Sequence, residues 1–548
     1  MIKKFTIKWL FQIIVNLGII MLLFTSLSKA QSNSMEDDEQ TSTKFDNQLF
    51  LALSNASSSL NELDFNNRAG LSLAIDYNKL KFNRKLIAKQ NSFDDDYVPH
   101  ESTKHFWLAV GELAIVEFIP WAAAKWVRDW ENPEDNWANV TADTWWRNIS
   151  YGWEYDGDAF LTNYFAHPYH GSLFYNVGRA NGYSFWESTV WAAAGSGLWE
   201  YFGETFRPAF NDWINTTVNG ITLGEVLHRL SIVVTDNTAT GSRRVWLEIG
   251  GALINPVRGF TRLISGETAR VFPNPEDRKP DDFIFKFDVG VRRIDEKGDG
   301  AEFATKGQQE GGLAIDFLYG NIMEDDLMNP FSSFSLSLAI GTRGSALTRL
   351  QGRGNLFGWE LKKNKNTQHR FVSTLNYNYW SNPGFIYGGT STVQQIISRF
   401  SVGEKTNIIT SVGAEFILMG ATPTDYFEDV EGRNYDFGPG VGINLLGAIK
   451  SGIWNVVRLR YTSKWIWTQS EPADSKHHLH FIFLDGGYPI TDYIFFGIGA
   501  GVYWRNSAYN YSQEVIDQIP DDQPVYQTDV QTANPVVMLF LSYAVYLN

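Results

Sequence analysis

The C-terminal half of the chain alternates between apolar and polar residues with a period of two. In the stretch 453–467, Val457 and Leu459 occupy odd positions, whereas Arg458 and Arg460 occupy even ones. Successive side chains of a β-strand point to opposite faces, so this pattern puts an apolar face opposite a charged face. The alternation recurs to the end of the chain and predicts an antiparallel β-structure.

About twelve such strands fit between residues 283 and 548. They lie near 283–293, 311–320, 331–342, 354–362, 368–380, 394–402, 407–418, 438–450, 453–467, 476–487, 492–504 and 535–547. We predict long polar loops after the odd-numbered strands and mostly short turns after the even-numbered ones. Short turns at one end and long loops at the other are typical of an outer-membrane barrel with both chain ends in the periplasm.

A soluble β-sandwich is the alternative, because it would also alternate. It would have to expose the charged face and enclose the many aromatic residues at the strand ends. Those rings fit the interfacial girdles of a transmembrane barrel better. The predicted girdle residues are Trp380, Trp454, Trp465, Trp467 and Trp504.

Charged side chains on the polar face of the strands are predicted to point into the lumen. Their signs are mixed, which favours a network of mutual ion pairs that fills a narrow bore. A substrate path through the lumen is the alternative interpretation. The residues concerned are Lys286, Asp288, Arg292, Arg370, Glu415, Arg458, Arg460, Lys464, His478 and His480.

The N-terminus predicts export. Lys3, Lys4 and Lys8 precede an apolar run that ends before a small-residue cleavage pattern at Ala30. We therefore predict a signal peptide over residues 1–30, with an uncleaved anchor as the alternative. An acidic and polar lead-in, largely disordered, is predicted over 31–100.

Composition narrows the possible functions. The net charge of −15 argues against nucleic acid as a partner, because phosphates require a basic surface. The absence of cysteine excludes disulfides, thiolate catalysis and Cys-ligated metal sites. With 20 tryptophans, the chain is rich in the residues that favour a membrane interface.

Residues 101–272 have helical periodicity and many aromatic residues, and we predict an aromatic-rich helical domain in the periplasm. A linker over 273–282 would connect it to the barrel. The stretch 104–130 is long and apolar enough to approach a membrane span, but such a span halts export in the inner membrane. Since Glu112 and Glu117 lower its hydrophobicity, we predict a buried or membrane-grazing helix.

A second apolar helix is predicted over 184–204 and ends with two carboxylates. On a helical wheel, Glu200 and Glu204 fall on the face of small residues, opposite the bulky ones. Small residues permit close helix packing, so the carboxylates need partners there. Arg179 or Arg207 is the predicted partner.

The helical domain contains the residues that could carry chemistry. Histidines and carboxylates together could act as base and acid, or could hold zinc, iron or manganese. A structural ion-pair cluster is the interpretation we favour, because no Gly-x-Ser-x-Gly elbow, phosphate loop or metalloprotease spacing occurs. No cofactor is predicted. The catalytic candidates are His167, His170, Glu200, Glu204, Arg207, Asp212 and Glu225, and the metal candidates are His167, His170, Glu200 and Glu204.

A basic patch precedes the first strand. It could touch anionic lipid headgroups, or it could be an ordinary acid-paired face. Its residues are Arg243, Arg244, Arg258, Arg262 and Arg270.

The helical domain also resembles a known family. The motifs are His167-Pro168-x-x-Gly171, Ser184-x-Trp186-Glu187, Glu200-Tyr201-x-Gly203-Glu204, Arg207-Pro208-x-x-Asn211-Asp212, Gly224-Glu225 and Asn255-Pro256-x-Arg258-Gly259. The family is an uncharacterised cell-envelope group, found chiefly in Bacteroidota and known only as a domain of unknown function. The resemblance is densest over 100–272 and implies envelope residence, but it brings no activity.

Together these features predict an α + β outer-membrane protein with a periplasmic helical domain followed by a barrel of about twelve strands. Its partner would be outer-membrane lipid. The leading functional hypothesis is a structural, gating or transport component in which the helical domain docks beneath the barrel. The alternatives are an envelope enzyme that acts on lipid or glycan, and a passive channel.

Overall fold

A computed structural model describes residues 93–546. Within that range it leaves out 95, 129–135, 156, 279, 281, 296–306, 343–345, 404, 426–432, 470–474 and 511–528. The predicted signal peptide and most of the predicted lead-in lie outside the described residues. The end of the lead-in belongs to the fold, because the backbone amide of Asp94 donates to the carbonyl of Val271.

The C-terminal part is a closed antiparallel barrel of twelve strands, in which β1 also pairs with β12. The predicted strand number is therefore confirmed. The strands are β1 (Phe283–Ile294), β2 (Gln308–Tyr319), β3 (Phe334–Gly341), β4 (Leu347–Lys363), β5 (Thr367–Asn382), β6 (Phe385–Ser401), β7 (Thr406–Pro423), β8 (Tyr435–Ser451), β9 (Trp454–Trp467), β10 (Lys476–Pro489), β11 (Ile494–Ala508) and β12 (Asp529–Tyr546).

The two faces of the wall follow the predicted alternation. In β1, Lys286 and Asp288 line the lumen, whereas Val289 and Val291 are exposed on the outside. The same outward exposure of aliphatic residues recurs in β9, where Val457 is exposed. The outer wall is therefore apolar and the lumen polar, which is the reverse of a soluble protein.

We call the end at which β1 starts and β12 finishes the proximal end, and the opposite end the distal end. Proximal turns at 364–366, 402–405, 452–453 and 490–493 are short, as predicted, but the connection 320–333 is longer. Distal connections after β3 and β5 are also short, which corrects the prediction of a long loop after every odd strand. In both hairpins, strand pairing continues almost to the turn.

The helical unit, which we define as residues 93–272, is built from short α-helices. Its described helices are α1 (Phe106–Ala122), α2 (Ala142–Tyr151), α3 (His167–Ala180), α4 (Phe185–Leu198), α5 (Phe210–Ile214), α6 (Gly220–Val234), α7 (Gly241–Ile254) and α8 (Pro256–Ile264). Turns of π-helix extend α1 over Ala123–Val127, precede α3 over Thr162–Ala166, follow α4 over Trp199–Gly203 and join α5 to α6 over Asn215–Asn219.

Local sequence signals explain where two of these helices begin. Ser184 and Glu187 form a capping box at the start of α4, which satisfies the free amides of the first turn. At α8, the side chain of Asn255 accepts from the amide of Arg258, and Pro256 supplies the preset φ angle of a first helical residue. The start of α4 agrees with the prediction over 184–204.

The helical unit packs on the outer wall of the barrel rather than beneath it. At β1 it covers Phe283 and Phe285, the first residues of that strand at the proximal end. At β8 it covers Tyr435 and Phe437, which are the first residues of an oppositely directed strand and so lie at the distal end. The covered band therefore crosses the wall from one end of the barrel to the other.

Helix α6 occupies the centre of this interface, between α3 and the wall. It contacts β3, β4 and β5, and nearly all of its residues are buried. The predicted linker 273–282 is also held tightly, because Arg278 pairs with Asp236 and Asp277 with Arg229. The two parts thus form one continuous hydrophobic core.

Glycines on the outer wall permit this close approach, and Gly388 offers a test. A Cβ added there would lie 2.4 Å from the ring of Tyr164, whereas one added at Gly447 on the uncovered wall would meet nothing within 4 Å. We expect Gly388→Val to destabilise the docked helical unit by about 1–3 kcal/mol through overpacking. Thermal melts followed by the helical circular-dichroism signal should show a lower midpoint for Gly388→Val and an unchanged one for Gly447→Val. Equal midpoints would contradict the interface.

Candidate functional site

The lumen is lined by paired charges. Lys286 Nζ lies 2.9 Å from Asp288 and 3.2 Å from Asp316, and Arg458 lies 2.9 Å from Asp485. Further pairs join Arg460 to Asp485, Lys464 to Glu415 and Arg292 to Glu310. The mixed signs therefore neutralise one another, as the predicted network requires.

Four of the residues assigned to the lumen or the girdles lie elsewhere. His478 and His480 face outwards and stack on Trp465 and Trp504, at 3.9 Å and 4.7 Å between ring centroids. They share their face of β10 with the exposed Ile482 and Leu484, so the assignment to the lumen was wrong. Conversely, Trp380 and Trp454 line the lumen and do not belong to a girdle.

Aromatic rings cross the lumen. Trp380 of β5 lies 5.6 Å from Phe481 of β10 and 6.1 Å from Tyr503 of β11, measured between ring centroids. Phe385 stacks on Tyr503 at 4.7 Å. Since β5 and β10 lie on nearly opposite sides of a twelve-stranded barrel, these contacts bridge the bore. Sequence reasoning missed this closure because register across a lumen has no local signal.

The connection 320–333 covers part of the proximal mouth. Met323 and Leu327 pack on Val372 and Ile397, and Arg370, one of the predicted lumen charges, donates to two backbone carbonyls of this connection. A cavity of about 380 Å³ remains in the lumen. It is lined by charged side chains from several strands, namely Lys286, Asp316, Arg349, Arg458, Arg460 and Asp485.

The helical unit brings one histidine between two carboxylates. His167 Nε2, at the start of α3, lies 3.6 Å from Asp212 Oδ2 and 3.7 Å from Asp158 Oδ2. Asn211 donates to the other oxygen of Asp212 at 2.8 Å. Asp212 is buried, whereas the side chain of Asp158 is 42% exposed, so the group is reached from the surface. Sequence reasoning singled out His167 and Asp212 but missed Asp158, which lies in no motif.

The donor atoms of Asp158, His167 and Asp212 all lie within 4.8 Å of one another. Imidazole with two carboxylates suits iron, manganese or zinc. Of the predicted metal ligands, His167 alone joins this group of described residues. Asp158 and Asp212 supply the carboxylates where Glu200 and Glu204 were predicted.

The other candidates lie apart from His167. The ring of His170 is partly buried and packs against Phe174 and Trp199, at 4.3 Å and 5.0 Å between ring centroids. Glu200 is buried, and its carboxylate accepts from the amide of Ala209 at 2.8 Å. Glu204 is only half-buried, and its carbonyl accepts from Asn148.

The predicted arginine partners bind other acids. Arg207 pairs with Glu154 at 2.8 Å near the surface. Arg179 donates to Glu225 at 2.8 Å, and Arg229, one turn along α6, donates to the same carboxylate at 2.8 Å. Tyr175 adds a further hydrogen bond at 2.8 Å. Glu225 is therefore the centre of a buried structural cluster that joins α3 to α6.

Most of the predicted basic patch is buried. Arg244, Arg258 and Arg262 form ion pairs with Glu248, Glu101 and Glu267 inside the helical unit. They are 2–5% exposed at the side chain and cannot reach lipid headgroups, because helices α7 and α8 turn them inwards. The side chain of Arg243 is 54% exposed and that of Arg270 47%, so these two keep the predicted access.

Asp236, in the segment between α6 and α7, forms ion pairs with Arg243 and Arg278. Burial by itself would raise the pKa of this carboxyl, but hydrogen bonds from Asn274 and Thr238 and the charge of Arg278 outweigh it and hold its pKa at about 2. Asp236 therefore stays charged at neutral pH and pairs with Arg243 at 3.3 Å.

Comparisons with known proteins find one sequence family and several solved structures that are similar to parts of this chain. A sequence family described as "Domain of unknown function (DUF3943)" matches residues 152–257, which run from the region before α3 into α8. This match agrees with the resemblance to a domain of unknown function, whereas the bacterial lineage stays a prediction. No protein with a curated description matches the chain.

Solved structures resemble the barrel. A NanC porin is 9% identical, with a TM-score of 0.22 over 47% of this chain and 98% of its own. An outer-membrane channel from Pseudomonas putida F1 is 8% identical, with a TM-score of 0.24 over 50% of this chain and 100% of its own. An anion-selective porin from Comamonas acidovorans is 8% identical, with a TM-score of 0.17 over 48% and 98%. At these identities the likeness concerns the fold alone.

The Glu225 cluster predicts a large loss of stability on neutralisation. Glu225→Gln would remove the ion-pair partner of Arg179 and would leave Arg229 with only the more distant Asp277, and we expect a cost of about 3–5 kcal/mol in the free energy of unfolding. The matched control Glu154→Gln removes a partly exposed pair and should cost less than about 1 kcal/mol. Denaturant titration of both variants in lipid vesicles measures the difference. Equal costs would show that the buried pair is not structural.

Proposed function

We propose that this chain is an outer-membrane protein whose closed barrel anchors the helical unit, and that it is not an open diffusion pore. The observation that carries the proposal is the contact of Trp380 with Phe481 across the bore. The ion pairs around Arg458 and Lys286 support it, because paired charges fill space that ions would need.

The outer wall supports residence in a membrane. The wall exposes large aliphatic side chains, which are 40–51% exposed at Leu445, Leu459, Leu484 and Leu541. Contact of this apolar surface with water would raise the free energy of the folded protein. A barrel pairs all of its strand edges, so its backbone can enter hydrocarbon. We propose that the proximal end faces the periplasm, because both ends of the barrel chain lie there. The polar segments 93–105 and 270–282 of the helical unit and linker would then be periplasmic.

A gating or transport role fits the cavity on the proximal side of the rings. Trp454 and Phe495, near the proximal starts of β9 and β11, line it together with Lys286 and Arg458. A small charged solute could enter from that end without passing the rings. Movement of the rings would then be required for passage across the membrane.

Removal of the crossing rings should open the lumen. We expect the wild-type protein to give no steady conductance in planar bilayers and the double variant Trp380→Ala/Phe481→Ala to give a measurable one. The matched control Trp467→Ala/Phe496→Ala removes rings from the outer face, where both residues are exposed, and should stay closed. Equal conductance of the wild type and the first double variant would contradict a bore closed by these rings.

An envelope enzyme that acts on lipid or glycan is the second candidate. The specific observation in its favour is the position of His167 between Asp212 and Asp158. A carboxylate that orients imidazole raises its strength as a general base, and the exposed side chain of Asp158 gives access to a substrate. Glu225 has no part in this candidate, because its carboxylate is occupied by two arginines.

Substitution of His167 separates the two candidates. If His167 acts as a base, His167→Gln should keep the folded amount of protein while the lipid or glycan composition of the envelope changes. The control His105→Gln, on the proximal segment before α1, should change neither. Quantitative mass spectrometry of envelopes from the two variant strains measures the result. An unchanged composition with lower thermal stability for His167→Gln would support the anchoring role alone.

A further inference from the structure

We infer that the helical unit lies within the lipid layer beside the barrel, and that the helix Phe106–Val127 crosses the hydrocarbon between the two barrel ends. Acyl chains of the membrane would cover its outer surface. The inference goes beyond the proposed anchoring role, because it assigns a lipid-binding surface to a part of the chain that was predicted to lie in the periplasm.

The first observation is the distribution of polarity in two helices of the unit, α8 and α4, which is inverted relative to a soluble domain. In α8, Arg258 and Arg262 are 2–3% exposed, whereas Phe260, Leu263 and Ile264 are 40–63% exposed. Charged residues are among the least often buried in water-soluble proteins. An arrangement with arginines inside and large apolar residues outside lowers the free energy only where the surroundings are apolar.

Helix α4 shows the same inversion. Its outward stripe consists of Trp186, Val190 and Leu198, and its buried stripe contains Ser188 and Ser196. Small buried residues with exposed bulky ones are typical of helix packing in membranes, where close contact replaces the hydrophobic effect between helices. Glu200, in the π-helical turn that follows this helix, is buried and so lies away from the apolar stripe.

The second observation concerns the first helix of the unit. Phe106–Val127 is a continuous apolar helix of 22 residues, and only 17% of its most apolar window is buried. Its exposed residues are all apolar or glycine, and they include Trp107, Ile115, Ile119 and Trp126. At about 1.5 Å per residue its length is about 33 Å, which matches a hydrocarbon layer of about 30 Å.

The polar groups of this helix are turned towards protein. Glu112 accepts from Asn181 at 2.5 Å and from Thr261 at 2.7 Å, and Lys125 donates to Asn139 at 2.5 Å. These groups explain how the segment passes the inner membrane: they lower its hydropathy in the unfolded chain, and folding then covers them. Export therefore limits the hydropathy of the unfolded segment, and it does not prevent the folded helix from crossing the hydrocarbon of the outer membrane.

The helix also runs in the required direction. Its N-terminal side is tied to the proximal end, since His100 binds Glu267 and Asp94 binds Val271, shortly before β1. Beyond its C-terminal side the chain reaches the distal end, where Tyr155 donates to Gln469 in the loop after β9 at 2.7 Å. The helix thus runs alongside the barrel from its proximal end towards its distal end.

The exposed apolar surface of the helices is continuous with the outer wall of the barrel, and this continuity indicates what covers it. On β4 the helical unit covers Leu350, and the exposed Phe357 and Trp359 follow on the same strand. The apolar helices and the apolar wall therefore form one outer surface, and a solvent that covers the wall also covers the helices. The lipid that surrounds a transmembrane barrel is that solvent.

The absence of native cysteine makes a direct test practical. Single-cysteine variants Ala114→Cys in α1 and Val190→Cys in α4 place a nitroxide label on the apolar helix surface. Leu459→Cys on the barrel wall is the lipid control, and Ser102→Cys on the proximal segment is the water control. Each purified full-length variant is reconstituted into phosphatidylcholine vesicles, and its folding is checked by heat-modifiable gel mobility.

Collisions of the label with oxygen and with a water-soluble nickel chelate are then compared by electron paramagnetic resonance. We expect the labels at positions 114 and 190 to collide often with oxygen and rarely with the nickel chelate, as the label at position 459 does. Their accessibility to the nickel chelate should be lower than that of the label at position 102. Nickel access at 114 equal to that at 102 would overturn the inference, and so would low access to both reagents, which indicates cover by a second copy of the chain. The label at 459 tests membrane residence of the barrel independently.

Discussion

The packing of α6 against the outer wall is the contact on which the arrangement of the whole chain depends. This helix is joined to α3 by the ion pair of its Glu225 with Arg179, and it packs on the wall through its apolar face. Arg229 extends the same network to the carbonyl of Pro330, which lies in the connection before β3. One buried helix therefore sets both the interior of the helical unit and its position on the barrel.

Closure of the lumen and cover of the outer wall both depend on the dimensions of the barrel. Twelve strands leave a bore that large side chains can span, as Trp380 and Phe481 do. The wall, in contrast, is wide enough for a helical unit to lie along it. Space for a site thus exists in two places: the charged cavity around Arg458 inside the barrel, and the group of His167 with its two carboxylates outside it.

Inverted polarity explains why the candidate residues separate as they do. Inside the helical unit, buried arginines pair with carboxylates: Arg258 pairs with Glu101, and Arg262 pairs with Glu248 and Glu267. A buried charge is costly without a partner, and mutual pairing is the simplest way to lower that cost. His167 differs because one of its two carboxylate neighbours, Asp158, reaches the surface.

The sequence by itself determined the barrel, because strand alternation is a local pattern that each segment displays independently. It also determined the start of α4 through the capping residue Ser184. His167 and Asp212 could be selected from the sequence as candidate catalytic residues. Only the tertiary structure decided that Glu200 binds a backbone amide, that Arg244 is buried, and that His478 faces outwards. It also decided that the helical unit lies along the barrel wall. These outcomes depend on which faces of distant segments meet, and a helix with an apolar stripe has the same sequence pattern whether the stripe meets protein or lipid.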